Sequence, residues 1–457
     1  MLAGAVALLA ARSPDDALGQ IAASSGHASL VHVRATATRV VEGRTVTITF
    51  DQLGVTRLVE RCVAGACDGT WFDGDRRWTF GINRVPLPDD ADAATRVERT
   101  LAAIASYAFA EPSFRAAGGT VEPAGGARWR VRARDGEELI AVLDAGGAVE
   151  RVEMPSGIEV AAYSGEVRTG GARFAVRRSG DLEPGDLDAA AAVAEPLAKP
   201  HGPDVAFAGD AAARLGDAPV PVVPCTIAGH AEHCLIDTGA TPSAVTLGVA
   251  EAVGLEPHGE LELSGLGRFA TGFIETGPLV VGSATFARAK FAVIPAAPSG
   301  IDAVIGSDLL GVVRVAIDRE RHTVRLAAPG GPPAPGTAVD LGFRRGSPRV
   351  SASLDGGGDR ALLDTGDEAV VSFGYARYRD GPPWRVVGRG QAVGIGGGAD
   401  DTLLVQVPNA RVGTLALGPT RAVVRRTQTE THVGIGLWSR FRIDLDEAAG
   451  RIVFSPP

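Results

Sequence analysis

The tripeptide Asp-Thr-Gly occurs twice in this chain, each time closing an apolar run. Cys234-Leu235-Ile236-Asp237-Thr238-Gly239-Ala240-Thr241 is the first, and Ala361-Leu362-Leu363-Asp364-Thr365-Gly366 the second. The two aspartates lie 127 residues apart (364 − 237), about the length of one small domain. An apolar strand delivers each carboxylate, and the glycine lets the backbone turn tightly and approach closely. A carboxylate repeated on a repeated scaffold predicts two aspartates meeting across a pseudo-twofold axis. Held close together they cannot both ionise easily, so they share a proton and can serve as acid and base together.

A second landmark repeats at nearly the same spacing. Ala303-Val304-Ile305-Gly306-Ser307-Asp308-Leu309-Leu310 follows the first tripeptide, and His432-Val433-Gly434-Ile435-Gly436-Leu437-Trp438 follows the second. Gly306 and Gly434 are 128 residues apart (434 − 306). Two landmarks at one offset are far harder to obtain by chance than either alone. Between the copies, Pro329-Gly330-Gly331-Pro332-Pro333-Ala334-Pro335-Gly336 reads as a linker.

On these residues the stretch 205–457 resembles two retropepsin-like aspartic peptidase domains fused in tandem. The resemblance implies a mainly β chain whose two β-barrel lobes form a pepsin-like bilobal unit. It implies that Asp237 and Asp364 hold a water between them as an endopeptidase dyad, one taking the water's proton while the other, protonated, polarises the scissile carbonyl. Thr238 and Thr365 would bond across the lobe interface, and Gly239 and Gly366 would let each carboxylate accept backbone N–H bonds. Ile305-Gly306 and Val433-Gly434 are the matching structural motifs. Hairpin flaps are expected around Ser264-Gly265-Leu266-Gly267 and Gly394-Ile395-Gly396-Gly397-Gly398. The second of these, extended to Ala399, fits the loosest dinucleotide fingerprint, but it lacks the βαβ setting that motif needs. The implied partner is a peptide or protein substrate, with no cofactor and no metal. One chain would carry the whole site as a monomer; pairing of each copy with one from another chain, as in viral members, is the alternative.

The second copy departs from the family pattern. Asp367-Glu368 stands where Ala240-Thr241 stands in the first. Facing the pair, Asp367 would disturb proton sharing; facing a pocket, it would select basic side chains; facing solvent, it would do neither. The competing reading is therefore a non-catalytic relative that binds peptide or lipidic ligands in the cell envelope.

The rest of the chain sets the context. Its 457 residues predict two or three domains, and 45% hydrophobic with 22% charged residues is a globular composition. A formal net charge of −9 gives nucleic-acid phosphates no basic footprint. Lysine occurs only at Lys199 and Lys290 while arginine is abundant, a bias of high-GC bacterial genomes.

The apolar start Met1 to Ala11, turning polar at Arg12-Ser13-Pro14-Asp15-Asp16, reads as a signal peptide over 1–16, too short for a stable membrane span, with the first turns of a buried helix as the alternative. Export to the periplasm, outer envelope or exterior fits the cysteines. Cys225 and Cys234 flank a predicted hairpin in which Gly229-His230 forms a type II′ turn and the two thiols face each other. Cys62 and Cys67 can close a smaller loop, and two local pairs favour an oxidising compartment. His230 and His233 fall on opposite faces of their strand, which argues against a metal site, and no Gly-x-Ser-x-Gly elbow occurs.

Residues 17–180 read as a β-rich accessory domain, an antiparallel sheet covered by a helix from Asp92 to Ala110 with Val97, Leu101, Ile104 and Ala105 on one stripe. This arrangement resembles the open barrel of periplasmic lipoprotein carriers, with no chemical motif in common. A linker is expected over 181–204, a first lobe over 205–330 and a second over 331–457.

Overall fold

The computed structural model describes residues 13–26, 31–41, 43–89, 92–169, 172–177, 189–265, 267–394 and 399–457. It is mainly β, with curled sheets. It separates into two compact units, one of Met1–Val63, Cys67–Trp78 and Asp90–Lys199, the other of Ala64–Ala66, Thr79–Asp89 and Pro200–Pro457. Among the described residues no helix is long and apolar enough to cross a membrane.

The first described element of the first unit is a helix, Pro14–Ser24, which straddles the expected boundary at residue 16 between signal peptide and accessory domain. Pro14 opens it and the Ser13 hydroxyl caps it, accepting the Asp16 N–H at 3.1 Å. The polar residues expected at a cleavage zone therefore form a helix start, while residues 1–12 lie outside the described residues. Ala17, Leu18, Ile21 and Ala22 of this helix share a core with Leu101, Ile104, Tyr107, Trp129, Val131 and Leu139.

The helix Asp92–Ala105 covers an antiparallel sheet in which Thr120–Pro123, Arg128–Arg132, Leu139–Leu143, Val149–Glu153 and Glu159–Thr169 follow in chain order. A second antiparallel meander holds His32–Val41, Arg44–Leu53 and Thr56–Val63. Ala189–Ala192, inside the expected linker, adds to His32–Val41 as an edge strand. Poly-alanine has no side-chain pattern to announce a strand; the backbone groups alone make this ladder. Cys62 and Cys67 form a disulfide at the end of Thr56–Val63.

The second unit contains two similarly wired halves. In the first, Val222–Ile227 and His230–Ile236 form a hairpin, and His230–Ile236 runs parallel to Ala303–Ile305. Ala244–Thr246 lies antiparallel to Ala303–Ile305 and parallel to Ala289–Ile294. In the second, Ser347–Leu354 and Gly357–Asp364 form the hairpin, and Gly357–Asp364 runs parallel to His432–Gly434. Val371–Gly374 lies antiparallel to His432–Gly434 and parallel to Leu415–Arg425.

Each half also projects a long hairpin, His258–Gly265 with Gly267–Thr276 and Arg385–Val393 with Ala399–Val412. The expected flap tips, 264–267 and 394–398, fall where these paired strands end, and Leu266 and residues 395–398 lie outside the described residues.

The two halves are joined by a shared sheet. Arg314–Asp318 of the first pairs antiparallel with Arg442–Asp446 of the second, inside a six-stranded sheet. Arg314 grips Asp444 through two of its three guanidinium nitrogens, Nε to Oδ1 at 2.6 Å and Nη2 to Oδ2. Ile236, Ile305, Leu363, Val433, Ile443 and Phe454 belong to one core that runs through both halves.

The cysteine hairpin departs from its expected register. Ala228 and Gly229 both have positive φ, 48° and 90°, as a type I′ turn requires. Ile227 therefore pairs with His230, Cys225 with Glu232 and Cys234 with Val223. The cysteines lie diagonally across the ladder and not opposite each other. They share a face, are buried, and are bridged with their Cα atoms 5.9 Å apart.

Candidate active site

Both Asp-Thr-Gly turns meet at one place within the second unit. Thr238 and Thr365 are fully buried and reach across to the opposite half. The Thr238 hydroxyl donates to the Leu363 carbonyl at 2.6 Å and accepts the Thr365 N–H at 3.1 Å. Thr365 reciprocates, donating to the Ile236 carbonyl at 2.7 Å and accepting the Thr238 N–H at 3.0 Å. Four buried bonds thus fix one turn against the other.

The glycines make room for the carboxylates. A Cβ on Gly239 would stand 2.5 Å from Asp364 Oδ1, and one on Gly366 would stand 2.5 Å from Asp237 Oδ2. Each glycine also bonds its own aspartate, Gly239 N–H to Asp237 Oδ1 at 2.8 Å and Gly366 N–H to Asp364 Oδ1 at 3.0 Å.

Ile305 and Val433 pair with the residues that precede the turns or deliver them, Ile236 and Leu363. Gly306 and Gly434 are required because backbone carbonyls press on them: Ala240 on Gly306, and Ala369 and Asp367 on Gly434. The structure therefore brings together Asp237, Asp364 and all of their expected supporting residues. The four cysteines lie in the two hairpins already described.

The two aspartates experience opposite pushes. Burial and the facing charge of Asp364 hold Asp237 well above the ordinary carboxyl range, against N–H bonds from Gly239 and Gly366. Burial also pushes Asp364 upward. There, however, the His432 bond and charge, the bond with Asp237 and the charge of Arg425 outweigh burial and hold it below its ordinary value.

Asp367, the departure noted in the sequence, does not face solvent, and one of its carboxylate oxygens lies within 4.8 Å of one of Asp364. It is buried, with Oδ1 accepting from Arg425 at 2.7 Å and the Ala369 N–H at 3.1 Å, and Oδ2 accepting from the Ser372 hydroxyl at 2.5 Å. Glu368 is exposed. Arg425 balances the extra carboxylate, so Asp367 contributes little net charge to the pair.

Several residues that matter here carry no motif. His432 Nδ1 lies 3.0 Å from Asp364 Oδ2 and 3.9 Å from Asp367 Oδ2. Beneath the turn, Ser307 donates to the Thr238 carbonyl at 2.9 Å and meets Glu447 Oε1 at 3.1 Å. Glu447 is buried, and burial with the nearby Asp308 charge pushes it up to about 8 against the Ser307 bond. Asp308 in turn accepts from the Ser243 N–H and hydroxyl at 2.8 and 2.6 Å and from Asn83 Nδ2 at 2.7 Å. Only His432 left a trace in the sequence, as a polar residue where the first repeat has Val304.

Asp364, Asp367 and His432 offer ligand atoms within 4.8 Å of one another, the spacing of a metal site. The donor set does not fit one. Both oxygens of Asp367 are committed to Arg425, Ser372 and Ala369, and the Arg425 guanidinium already supplies the cation. A further dication would sit against that positive charge. The other cluster, at Glu60, is made of cysteines already joined as a disulfide.

No curated protein matches the chain. Residues 223–309, which hold Asp237, Thr238, Gly239, Ile305 and Gly306 and stop short of the second tripeptide, match the family model described as aspartyl protease.

Proposed function

We propose that this chain is an exported, single-chain aspartic endopeptidase that hydrolyses peptide bonds with a water activated between Asp237 and Asp364. The observation that carries the reading is the reciprocal Thr238–Thr365 bonding, which holds two carboxylates face to face from two halves of one chain. Opposite pushes on the two carboxyls favour a state with one proton on the pair, the form that can accept from water and donate to a carbonyl at once. No cofactor enters this chemistry. The family match over 223–309 supports peptide as the substrate class. Two local disulfides support an oxidising compartment, and with it the periplasm, outer envelope or exterior.

The engagement of Asp367 by Arg425 and Ser372 weighs against a disabled second half, since the extra carboxylate is already neutralised. The test is incubation of the full chain with a mixed peptide library from acidic to neutral pH, with products read by mass spectrometry. Internal cleavage of peptides is expected. Saturable peptide binding without turnover at any pH would favour the non-catalytic alternative.

A further inference from the structure

The two halves differ where one aspartate meets its surroundings. In the first half Ala244 pairs with both Val304 and Ala292. In the second, Ser372 takes the same place, pairing with His432 and Val423. By that register His432 stands where Val304 stands, Ser372 where Ala244 stands and Arg425 where Ile294 stands; Asp367 follows Asp364 by three residues, as Ala240 follows Asp237. The first set lies in a dry cluster of Ala244, Ile294 and Val304 with Ala240 packed on it. The second set is His432, Ser372, Arg425 and Asp367. A whole apolar patch has been replaced by a bonded polar one, on the side of Asp364 alone.

Burying polar groups is costly unless they are satisfied, and these are bonded to one another, with Arg425 Nε the one buried side-chain atom among them left unpaired. Asp367 is held by Arg425, Ser372 and the Ala369 N–H, and Ser372 is held by Gln428 at 3.2 Å. His432 Nδ1 faces two carboxylates, Asp364 at 3.0 Å and Asp367 at 3.9 Å. Ionised carboxylates accept hydrogen bonds and cannot donate, so Nδ1 carries a proton, in the neutral Nδ1–H form or the imidazolium. Among the described residues the ring pairs with Asp364 and Asp367, and Asp367 pairs with Arg425, whereas the groups acting on Asp237 are Asp364 and the N–H groups of Gly239 and Gly366.

We propose that His432, seated by the Asp367–Arg425 pair, is a positioning residue that keeps Asp364 ionised and places the single shared proton of the pair on Asp237. The catalytic consequence rests on the peptidase reading; the placement of the proton does not. Asp364 then takes a proton from water as the water oxygen bonds to the scissile carbonyl carbon, and Asp237 gives its proton to the carbonyl oxygen. On collapse, Asp364 returns its proton to the departing amide nitrogen as the C–N bond breaks. Asp237 recovers its proton from a hydroxyl of the tetrahedral species, and the pair is back in its starting form.

The experiment is a pH titration of the full chain carrying ¹³C-labelled aspartate carboxyls, with Asp237→Asn and Asp364→Asn variants to assign the two resonances. Asp364 is expected to ionise at lower pH than Asp237. In His432→Val, which restores the first half's residue, the Asp364 midpoint should rise by about one pH unit or more. In His432→Asn, which keeps an N–H donor without a charge, it should rise less. If peptides are cleaved, the acidic limb of kcat should move with it, about tenfold in rate per unit below the midpoint.

Asp237 ionising first in the unsubstituted chain would overturn the proposal, even if a His432 variant failed to fold. Unchanged Asp364 midpoints in folded variants would overturn it too. The expected titration order without any cleavage would keep the proton placement and sink the peptidase reading. Cleavage with a limb indifferent to His432 would do the reverse.

Discussion

At the scale of single residues, the account depends on buried groups held by bonds to one another. Thr238→Val removes a hydroxyl that both donates and accepts, leaving the Leu363 carbonyl and the Thr365 N–H orphaned. The expected loss is roughly 1–3 kcal/mol per orphaned group, read by denaturant unfolding, and Thr238→Ser should recover most of it. An unchanged midpoint for the valine variant would contradict the role given to these bonds.

Glu447 supplies a pH signature. Its folded value, about 8, lies above the 4.5 of an ordinary glutamate, so the folded chain holds the proton more tightly. That stabilisation is complete below pH 4.5 and is lost as pH rises through about 8. Over this window the wild type should lose about 1.4 kcal/mol per pH unit relative to Glu447→Gln. Equal slopes for the two proteins would show that Glu447 titrates normally.

At the scale of elements, what the sequence reveals depends on how local the cause is. Each Asp-Thr-Gly is announced by an apolar run and a turn residue, and the structure places both turns together. The cysteine hairpin was visible as a hairpin, but its register was not. Gly229 is compatible with either primed turn, and only the positive φ at Ala228 selects type I′ and slides the cysteines to diagonal positions. Removing the bridge through Cys225→Ser with Cys234→Ser should lower stability by about 2–3 kcal/mol for so short a loop, measured by chemical denaturation. No change would mean that the hairpin is held by its ladder and burial alone. The role of His432, and the partners of Asp367, were hidden for a different reason. Their chemistry exists only once His432–Gly434 is laid beside Gly357–Asp364, a pairing that no local pattern specifies.

At the scale of the whole molecule, the chain order misleads about what belongs together. The segment Thr79–Asp89 lies in the middle of the expected accessory domain, yet it is part of the unit that carries the aspartates. Asn83 there bonds the Lys290 carbonyl and N–H, each at 2.8 Å, as well as Asp308. Val85 and Leu87 enter the main core, and Ile82 packs with Phe273. Nothing in the segment's sequence points to partners so far along the chain, Phe273 for Ile82 and Lys290 and Asp308 for Asn83. Each of these three apolar side chains contributes about 1.5–3 kcal/mol. Together they approach the whole margin of an ordinary domain, about 5–15 kcal/mol. A chain started at Pro200 should therefore fail to fold, whereas a soluble, cooperatively melting product would show the segment to be dispensable.

The same scale holds the central claim, that one chain supplies both halves of a catalytic pair. Its most direct measurement is the rate of peptide cleavage by Asp237→Asn, by Asp364→Asn and by their equimolar mixture, each against the wild type. The account predicts a loss of at least about a hundredfold in each variant and no recovery in the mixture. Cleavage retained by either variant, or restored on mixing, would contradict it.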